Sequence, residues 1–317
     1  MQLVRGLHNV RPDSQGCVAT IGNFDGVHLG HQQILQRLSE RAKQLGLPSC
    51  VIIFEPQPLE YFNPEQAPVR LTRLRDKLEL FKQHGIDSVL CVAFNRNFQQ
   101  LSAQEFVDCV LLKSLNIKHL QVGDDFRFGC DRRGDYAFLQ DAGRQHGFTV
   151  EPTSTVKQEH QRISSTLIRD ALARADLSEA AALLGRPFSI SGRVMHGQKL
   201  GRQLKAPTAN VQLKRYKAPL HGVFAVCAEL EDGRRFPAVA NIGMRPTVEQ
   251  SGRAYLEVHL LDFVGDLYGQ RMTVIFQKKL REEQRFPSLE ALQIAIEQDI
   301  EQARQFWREQ AVELHCC

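Results

Sequence analysis

Two histidines stand at the end of a glycine-containing segment near the start of the chain. The segment is T-I-G-N-F-D-G-V-H-L-G-H, residues 20–31, and it follows an apolar run at Cys17–Ile21. Glycines let a backbone approach a phosphate closely, and the free N–H groups and dipole of a helix N-terminus favour anions. His28 and His31 are three residues apart, so both imidazoles face the incoming helix end. The pattern predicts a phosphate-binding loop that contains Gly22, Gly26 and Gly30. An isolated H-x-G-H would equally suit a glycine turn with two solvated histidines, but the strand and helix in register with it disfavour that interpretation.

A second, hydroxyl-rich segment could hold the same phosphates. Residues 162–169 read R-I-S-S-T-L-I-R, which places Ser164, Ser165 and Thr166 at the start of a helix and Arg169 one turn later. Hydroxyls at a helix N-terminus together with a guanidinium can clamp phosphate groups. Taken alone, the segment also fits an ordinary Ser/Thr helix cap.

The second half of the chain carries two segments suited to phosphoryl transfer. Thr208 and Asn210, in P-T-A-N, offer neutral oxygens two residues apart. Such oxygens suit a magnesium ion that keeps waters and nucleotide phosphates as its other ligands. In residues 255–263, Y-L-E-V-H-L-L-D-F, strand alternation puts Glu257 and His259 on the face opposite the aliphatic side chains. Ordinary loop residues and a solvent-facing strand glutamate are the alternatives that these residues leave open.

The elements around the first loop alternate between strand and helix. The strand-like runs are Cys17–Ile21, Cys50–Phe54, Ser88–Phe94, His119–Val122 and Phe148–Glu151. Helical spacing follows the first run as far as Gly46, and Ser102 with Glu105 has the form of a capping box. This alternation predicts an α/β, Rossmann-like domain with a mostly parallel sheet, in which ligands bind where a strand turns into a helix.

The rhythm changes near residue 185, where Gly185-Arg186-Pro187 ends an apolar helix at Ala180–Leu184. Short strands punctuated by glycine and proline follow at 188–195, 222–230, 236–242, 254–261 and 272–276. Their spacing predicts an antiparallel barrel or sandwich. A C-terminal helix capped by Ser288 would pack through Leu289, Leu292, Ile296, Ile300 and Ala303. We therefore predict two domains, residues 1–185 and 186–317.

Composition excludes several classes of protein. Hydrophobic residues make up 43% of the 317 residues and charged residues 24%, as in a folded globular protein. The net charge of +4 falls short of the excess typical of nucleic-acid binders. No stretch approaches the ~20 apolar residues of a membrane span, and the start lacks a signal peptide, so we expect a cytoplasmic protein that binds neither membrane nor nucleic acid. The eight cysteines lack C-x-x-C spacing, which favours reduced thiols, no zinc site and a frayed Cys316-Cys317 end.

Together these motifs resemble the H-x-G-H nucleotidyltransferases and, more closely, the bacterial bifunctional riboflavin kinase/FAD synthetase family. The resemblance covers nearly the whole chain and includes N-I-G-M-R-P-T at 241–247. It implies that riboflavin and ATP give FMN, that FMN and a second ATP give FAD and pyrophosphate, and that Mg²⁺ assists. It implies an antiparallel flavokinase barrel for the second domain. It leaves a weak homo-oligomer open, with small molecules as the partners.

The resemblance also implies roles for individual residues. Glu257 is the expected base of riboflavin phosphorylation, and His28, His31 and Arg169 are the expected catalytic groups of adenylyl transfer. ATP for adenylyl transfer would be bound by Gly22, Asn23, Phe24, Asp25, His28, Gly30, His31, Ser164, Ser165, Thr166 and Arg169. The flavin would be bound by Phe54, Pro56, Pro58, Phe62, Asp124, Phe126, Phe128 and Arg245. The kinase ATP would be bound by Gly201, Pro207, Thr208 and Asn210, of which Thr208 and Asn210 would also hold the metal.

Three positions depart from the family's pattern. Lys205 and Ala206 stand where the family has a glycine and a bulky or aromatic residue, and Cys130 stands where it has a small or basic one. Two other functions fit part of the sequence. The H-x-G-H alone would permit a nucleotidyltransferase acting on pantetheine phosphate, which the second domain and P-T-A-N argue against. A non-catalytic flavin-binding protein is disfavoured because Glu257, Thr208 and Asn210 occur together with both histidines.

Overall fold

The computed structural model describes residues 1–11, 15–153, 157–158, 161–196, 208–213, 217–244 and 254–310. The chain forms two compact units. The first comprises Met1–Pro68 and Thr72–Ser164, and the second comprises Val69–Leu71 and the chain from Ser165 onward.

The first unit is built on a six-stranded parallel sheet. Its strands are β1 (Gln2–Arg5), β2 (Cys17–Ile21), β3 (Ser49–Glu55), β4 (Ser88–Ala93), β5 (Ile117–Val122) and β6 (Thr149–Pro152). They lie in the order β1-β4-β3-β2-β5-β6, and every neighbouring pair is parallel. The central strand β2 is buried at every residue, as expected for a parallel sheet covered on both faces. The predicted strands are confirmed with ends shifted by a residue or two, whereas β1 at the sheet edge was not predicted.

Helices cover both faces of this sheet. They are α1 (Leu29–Leu45), α2 (Pro58–Phe62), α3 (Leu74–Gln83), α4 (Arg96–Gln99), α5 (Ala103–Phe106) and α6 (Tyr136–His146), with short 3₁₀ turns at Leu7–Asn9 and Cys130–Arg132. The capping box at Ser102 is confirmed, since its hydroxyl accepts from the Glu105 amide and the Glu105 carboxylate accepts from the Ser102 amide. Beyond α5 the chain continues as a π-helix over Val107–Ser114. A two-stranded antiparallel ribbon, β7 (Lys157–Gln158) and β8 (Gln161–Arg162), completes the unit.

The second unit contains a closed antiparallel barrel. Its strands are β9 (Ser189–Met195), β10 (Ala209–Val211), β11 (Gly222–Leu230), β12 (Arg235–Met244), β13 (Ala254–Leu260) and β14 (Arg271–Arg281), in the order β10-β13-β12-β11-β14-β9. Pairing of β9 with β10 closes the barrel. The predicted antiparallel barrel is therefore confirmed, with β10 as an additional strand within the P-T-A-N segment.

Helices α7 (Ser165–Ala173) and α8 (Leu177–Leu184) belong to this second unit. Gly185 ends α8 in the left-handed conformation, with φ of 71°, as the predicted helix break requires. The compact units thus divide at Ser164/Ser165, ahead of the change of rhythm near residue 185. A functional boundary near residue 185 remains a prediction.

The closing helix α9 (Leu289–Glu309) packs on the outside of the barrel, and Ser288 caps it by accepting from the Ala291 amide. The predicted packing face is wrong at its start, because the side chain of Leu289 is exposed. The fully buried positions recur at four-residue steps, at Ala295, Asp299, Ala303 and Trp307. Asp299 is tolerated there because Arg281 donates two hydrogen bonds of 2.8 Å to its carboxylate.

The described cysteines carry free thiols, while Cys316 and Cys317 lie outside the described residues. In the part of the chain that the structure describes, no helix has both the length and the apolar content needed to cross a bilayer.

Candidate active site

The predicted phosphate loop lies between β2 and α1 and has a strained backbone. Phe24 and Val27 adopt φ of 48° and 42°, in the left-handed region, beside Gly26 at 85°. This conformation is unusual for any residue with a Cβ and is a genuine outlier for a β-branched valine. Such strain persists where surrounding contacts hold the backbone in place.

Two residues from a distant part of the chain hold the loop. The Asp25 carboxylate accepts from the Thr72 amide at 3.0 Å and from the Thr72 hydroxyl at 3.2 Å. The same hydroxyl oxygen accepts from the Gly26 amide at 2.9 Å. Lys77, a residue only 2% exposed, donates through its ammonium to the carbonyl of Asn23. Asp25, predicted among the ATP-binding residues, is therefore buried and engaged with Thr72.

His28 and His31 lie together at the start of α1, as predicted. Their rings stack with centroids 3.6 Å apart and an angle of 17° between planes. His28 is also the N-cap, because its Nδ1 accepts from the His31 amide at 3.3 Å. A lone pair on Nδ1 leaves the proton of a neutral imidazole on Nε2. The structure thus gives His28 a structural task as well as a place beside His31.

The environment of His31 keeps its imidazole neutral. Burial, followed by the neighbouring His28 and the ammonium of Lys77, holds the pKa of His31 well below its ordinary value of 6.5. Its Nδ1 is enclosed and accepts no hydrogen bond from the residues that the structure describes. A neutral imidazole can donate one hydrogen bond but adds no charge. Lys77 and the dipole of α1 supply positive charge near this loop.

The start of the serine-rich segment lies next to the histidine loop. An ideal Cβ on Gly30 would be 3.8 Å from the Ile163 carbonyl oxygen, one residue before Ser164. The helix predicted from Ser165 is α7, and within the second unit the Arg169 guanidinium donates to the Val69 carbonyl at 2.6 Å. Thr166 is exposed, and Ser164 and Ser165 are partly buried.

Aromatic rings connect the two segments predicted to bind flavin. Neighbouring ring centroids lie 5.0 to 6.2 Å apart along the series Phe54, Phe98, Phe106, Phe128 and Phe126. Phe54 and Phe128 are buried in the core, so their rings mainly pack the interior. Phe98 was not among the residues predicted to bind flavin, and it joins this group from α4, just beyond the carboxyl end of β4.

One end of this aromatic group is exposed to solvent. Phe62, on α2, is 62% exposed and contacts Tyr61 and Phe94 with centroids 5.5 Å apart. Pro58 begins α2, and Pro56 lies just before it. Asp124 is exposed in the loop after β5, as are Arg132 and Arg133 beyond it, while Cys130 is partly buried.

Three polar residues form a row across adjacent strands of the barrel. Asn210 of β10 lies opposite Glu257 of β13, and Glu257 lies opposite Asn241 of β12. Directly opposite residues point to the same face, with Cβ atoms about 4.5–5.5 Å apart. The alternating residues Leu256 and Val258 are buried, which confirms the predicted alternation around Glu257. The row therefore lies on the outer face of the barrel.

Several predicted kinase residues lie at or beyond the edge of what can be described. Thr208 is partly buried directly before β10. Gly201, Pro207 and Arg245, with Lys205 and Ala206, lie outside the described residues. Asn241 belongs to the N-I-G-M-R-P-T motif but was not predicted as a site residue. Its position directly opposite Glu257 on the neighbouring strand makes it a candidate site residue.

Known protein families match both the α/β part and the barrel part of the chain. A family model described as FAD synthetase matches residues 10–167, and one described as riboflavin kinase matches residues 184–307. A bifunctional riboflavin kinase/FMN adenylyltransferase from Pseudomonas fluorescens is 62% identical over 96% of this chain and 97% of its own. The protein of the same description from Escherichia coli K12 is 51% identical, over 97% of this chain and 98% of its own.

A solved structure shares the fold from end to end. It is a crystal structure named as a macrolide-efflux protein from Streptococcus pneumoniae, with a TM-score of 0.79 and 28% identity over 96% of this chain and 99% of that one. That name applies to the Streptococcus pneumoniae protein alone. The comparison shows that both chains share the architecture of two units. The two family models, the near-complete coverage and the identities show that the chain belongs to the bifunctional riboflavin kinase/FMN adenylyltransferase family, which makes FMN from riboflavin and FAD from FMN.

Proposed function

We propose that the two reactions use separate sites: the histidine loop of the first unit for adenylyl transfer, and the outer-face row around Glu257 for phosphoryl transfer. The observation that carries the proposal is the register of Asn210, Glu257 and Asn241 on one barrel face, far in sequence from the stacked pair His28 and His31. Each group has the chemistry that its reaction needs, and neither reaction requires a covalent enzyme intermediate.

In adenylyl transfer, negative charge grows on the α-phosphate oxygens and on the departing pyrophosphate. The neutral His31 imidazole would donate a hydrogen bond to this charge, and the dipole of α1 would favour it. Ser164, which follows Ile163 beside the histidine loop, would add a hydroxyl to this phosphate site. The roles of Ser165, Thr166 and Arg169 in binding ATP stay predictions from the sequence. Lys77 acts through the loop, because its ammonium holds the Asn23 carbonyl.

In phosphoryl transfer, Glu257 would take the proton of the terminal ribityl hydroxyl as the γ-phosphoryl group arrives. Glu257 is partly buried on the outer face, where a substrate can approach it. Its neighbour in the row, Asn210, presents an amide oxygen, and Thr208 lies two residues away.

The residues around Glu257 also fit a magnesium ion. Neutral amide and hydroxyl oxygens beside one carboxylate match the hard-oxygen preference of Mg²⁺, which keeps several waters and substrate phosphates. Thr208 and Asn210 would hold it. When bound, it would neutralise charge on the transferring phosphate.

The proposal also covers the flavin-binding surface, the domain boundary, the cellular location and the partners. We assign the flavin of the first unit to the surface around Phe62, and a functional boundary to the region near residue 185. We place the protein in the cytoplasm, where ATP is made, acting on small molecules without nucleic acid or membrane. A weak homo-oligomer is compatible with this assignment.

The test is flavin chromatography after incubation with riboflavin, ATP and Mg²⁺. Glu257→Gln should lower the rate of FMN formation by ~10² to 10⁴, because it removes the proton acceptor and keeps the shape. Supplied FMN should still be converted to FAD. Glu231→Gln, an exposed glutamate in the same unit, is the matched control and should retain both rates. Riboflavin phosphorylation by Glu257→Gln at the control's rate would remove Glu257 from the mechanism.

A further inference from the structure

Asn241 lies at the border between an apolar and a polar part of the outer barrel face. On one side its register partner in β11 is Val223, which packs in the apolar cluster beneath α9 with Ala303 and Trp307. On the other side its partner in β13 is Glu257. The amide is therefore the polar group between the helix-covered face and the proposed base.

The orientation of this amide is set by two further residues. Asn241 Nδ2 donates to the Tyr255 hydroxyl at 3.1 Å, and that hydroxyl donates to the Glu283 carboxylate. Burial, followed by the hydrogen bond and negative charge of Glu283, raises the pKa of the Tyr255 phenol, so it keeps its proton. Because that proton is used by Glu283, the hydroxyl can only accept from Asn241, and a flipped amide would place two acceptors against each other.

Glu283 is held in place by the shape of the strand beneath it. Its carboxylate lies over Gly243, and a Cβ on that glycine would overlap the carboxylate oxygens. Gly243 lies directly opposite Tyr255 on the neighbouring strand, so the Glu283 carboxylate over the glycine is beside the Tyr255 phenol. The series Glu283–Tyr255–Asn241 thus has a fixed direction that ends at the amide oxygen.

The amide oxygen at the end of this series has no donor among the residues that the structure describes. Asn241 Oδ1 is enclosed and accepts no hydrogen bond from the described part of the chain. Buried acceptors in native proteins are nearly always paired, and an unpaired one calls for an explanation. A ligand hydroxyl that arrives beside Glu257 would supply the missing donor.

We propose that Asn241 Oδ1 accepts a hydrogen bond from the ribityl hydroxyl adjacent to the one that reacts, so that the terminal hydroxyl faces Glu257. The terminal hydroxyl has a single proton, which goes to the base, so the second contact requires its neighbour on the polyol. Asn241 then selects substrates with hydroxyls on adjacent carbons, and Tyr255 and Glu283 position the amide. The inference rests on the proposed phosphorylation at Glu257.

The experiment crosses a substrate change with a protein change. Riboflavin and the analogue whose ribityl chain lacks the hydroxyl next to the terminal one are phosphorylated by the wild-type protein and by Asn241→Ala. On riboflavin, Asn241→Ala should lower kcat/KM by about 10- to 100-fold, the usual effect of removing one partner of a buried hydrogen bond. On the analogue, the same variant should lower it by less than about threefold, because the contact is already absent.

Two further measurements keep the test decisive. Tyr255→Phe retains the ring and releases the amide, so it should lower kcat/KM on riboflavin more than on the analogue, and it serves if Asn241→Ala does not fold. The fluorescence of Trp307, which packs between the closing helix and the barrel, reports folding of the second unit in each preparation. Equal losses on both substrates, or no loss on riboflavin, would overturn the role of Asn241. Failure of the underlying base assignment would show separately, as an active Glu257→Gln.

Discussion

Replacing Lys77 with methionine removes an ammonium that donates to the backbone of the histidine loop at Asn23. Phe24 and Val27 are in the left-handed region, where each non-glycine residue costs about 1–3 kcal/mol. A charge-assisted hydrogen bond such as that from Lys77 to the Asn23 carbonyl contributes about 1.5–3 kcal/mol. The two magnitudes are comparable, so the loop should relax when the lysine is lost. A displacement of about 1 Å in a catalytic group can cost about 10²-fold in rate, which is the loss expected for FAD formation.

Stability is the weaker readout of this variant, because burying the ammonium itself costs free energy that methionine would recover. The assay is therefore the initial rate of FMN conversion to FAD at saturating ATP, with riboflavin phosphorylation measured in the same preparation. Lys82→Met, an exposed lysine on the same helix α3, is the matched control and should stay within about twofold of wild type. If Lys77→Met makes FAD as fast as Lys82→Met, the loop does not depend on that hydrogen bond.

Three further results are expected. The pKa of His31 is lowered in the folded state, so the unfolded chain binds more protons below pH 6.5. The first unit should therefore lose stability as the pH falls below that value, and His31→Gln should weaken this dependence in urea melts followed by circular dichroism. Asp299→Ala leaves Arg281 partly buried without its carboxylate partner, so it should destabilise the barrel by about 3 kcal/mol. The control Arg304→Ala breaks an exposed ion pair and should cost at most about 1 kcal/mol. Both free energies of unfolding can be measured in urea by the fluorescence of the chain's one tryptophan, in α9, and equal values would contradict the described packing. A fragment that starts at Ser165 should phosphorylate riboflavin and make no FAD, and a folded but inactive fragment would show that the unit boundary is misplaced.

The central strands were predictable because burial on both faces requires continuous apolar runs, as at Cys17–Ile21. The edge strand Gln2–Arg5 has only two partly buried residues and gives no such pattern. The face of α9 was misjudged for a different reason. Its buried stripe includes Asp299, whose burial depends on Arg281 from β14, a tertiary pairing that helical periodicity cannot show.

The candidate sites likewise combine contacts that local sequence spacing predicts with contacts that depend on tertiary structure. His28 and His31 are adjacent on one helical turn, so their meeting follows from local spacing. Lys77 reaches Asn23 across 54 positions of sequence, and no local pattern marks a lysine that will be buried. Asn241 is also identified only by strand register, which places it opposite Glu257.

The central claim is that the two reactions use independent sites, and mixing two single-site variants tests it most directly. His31→Ala should form FMN from riboflavin and convert it to FAD about 10²- to 10³-fold more slowly than wild type, because one preorganised donor is lost. Glu257→Gln should form little FMN from riboflavin, yet it should convert supplied FMN to FAD. Incubated together with riboflavin, ATP and Mg²⁺, the two variants should make FAD, because FMN released by the first is adenylylated by the second. A mixture that accumulates FMN without FAD, while Glu257→Gln alone remains active on supplied FMN at the same concentration, would contradict transfer between independent sites.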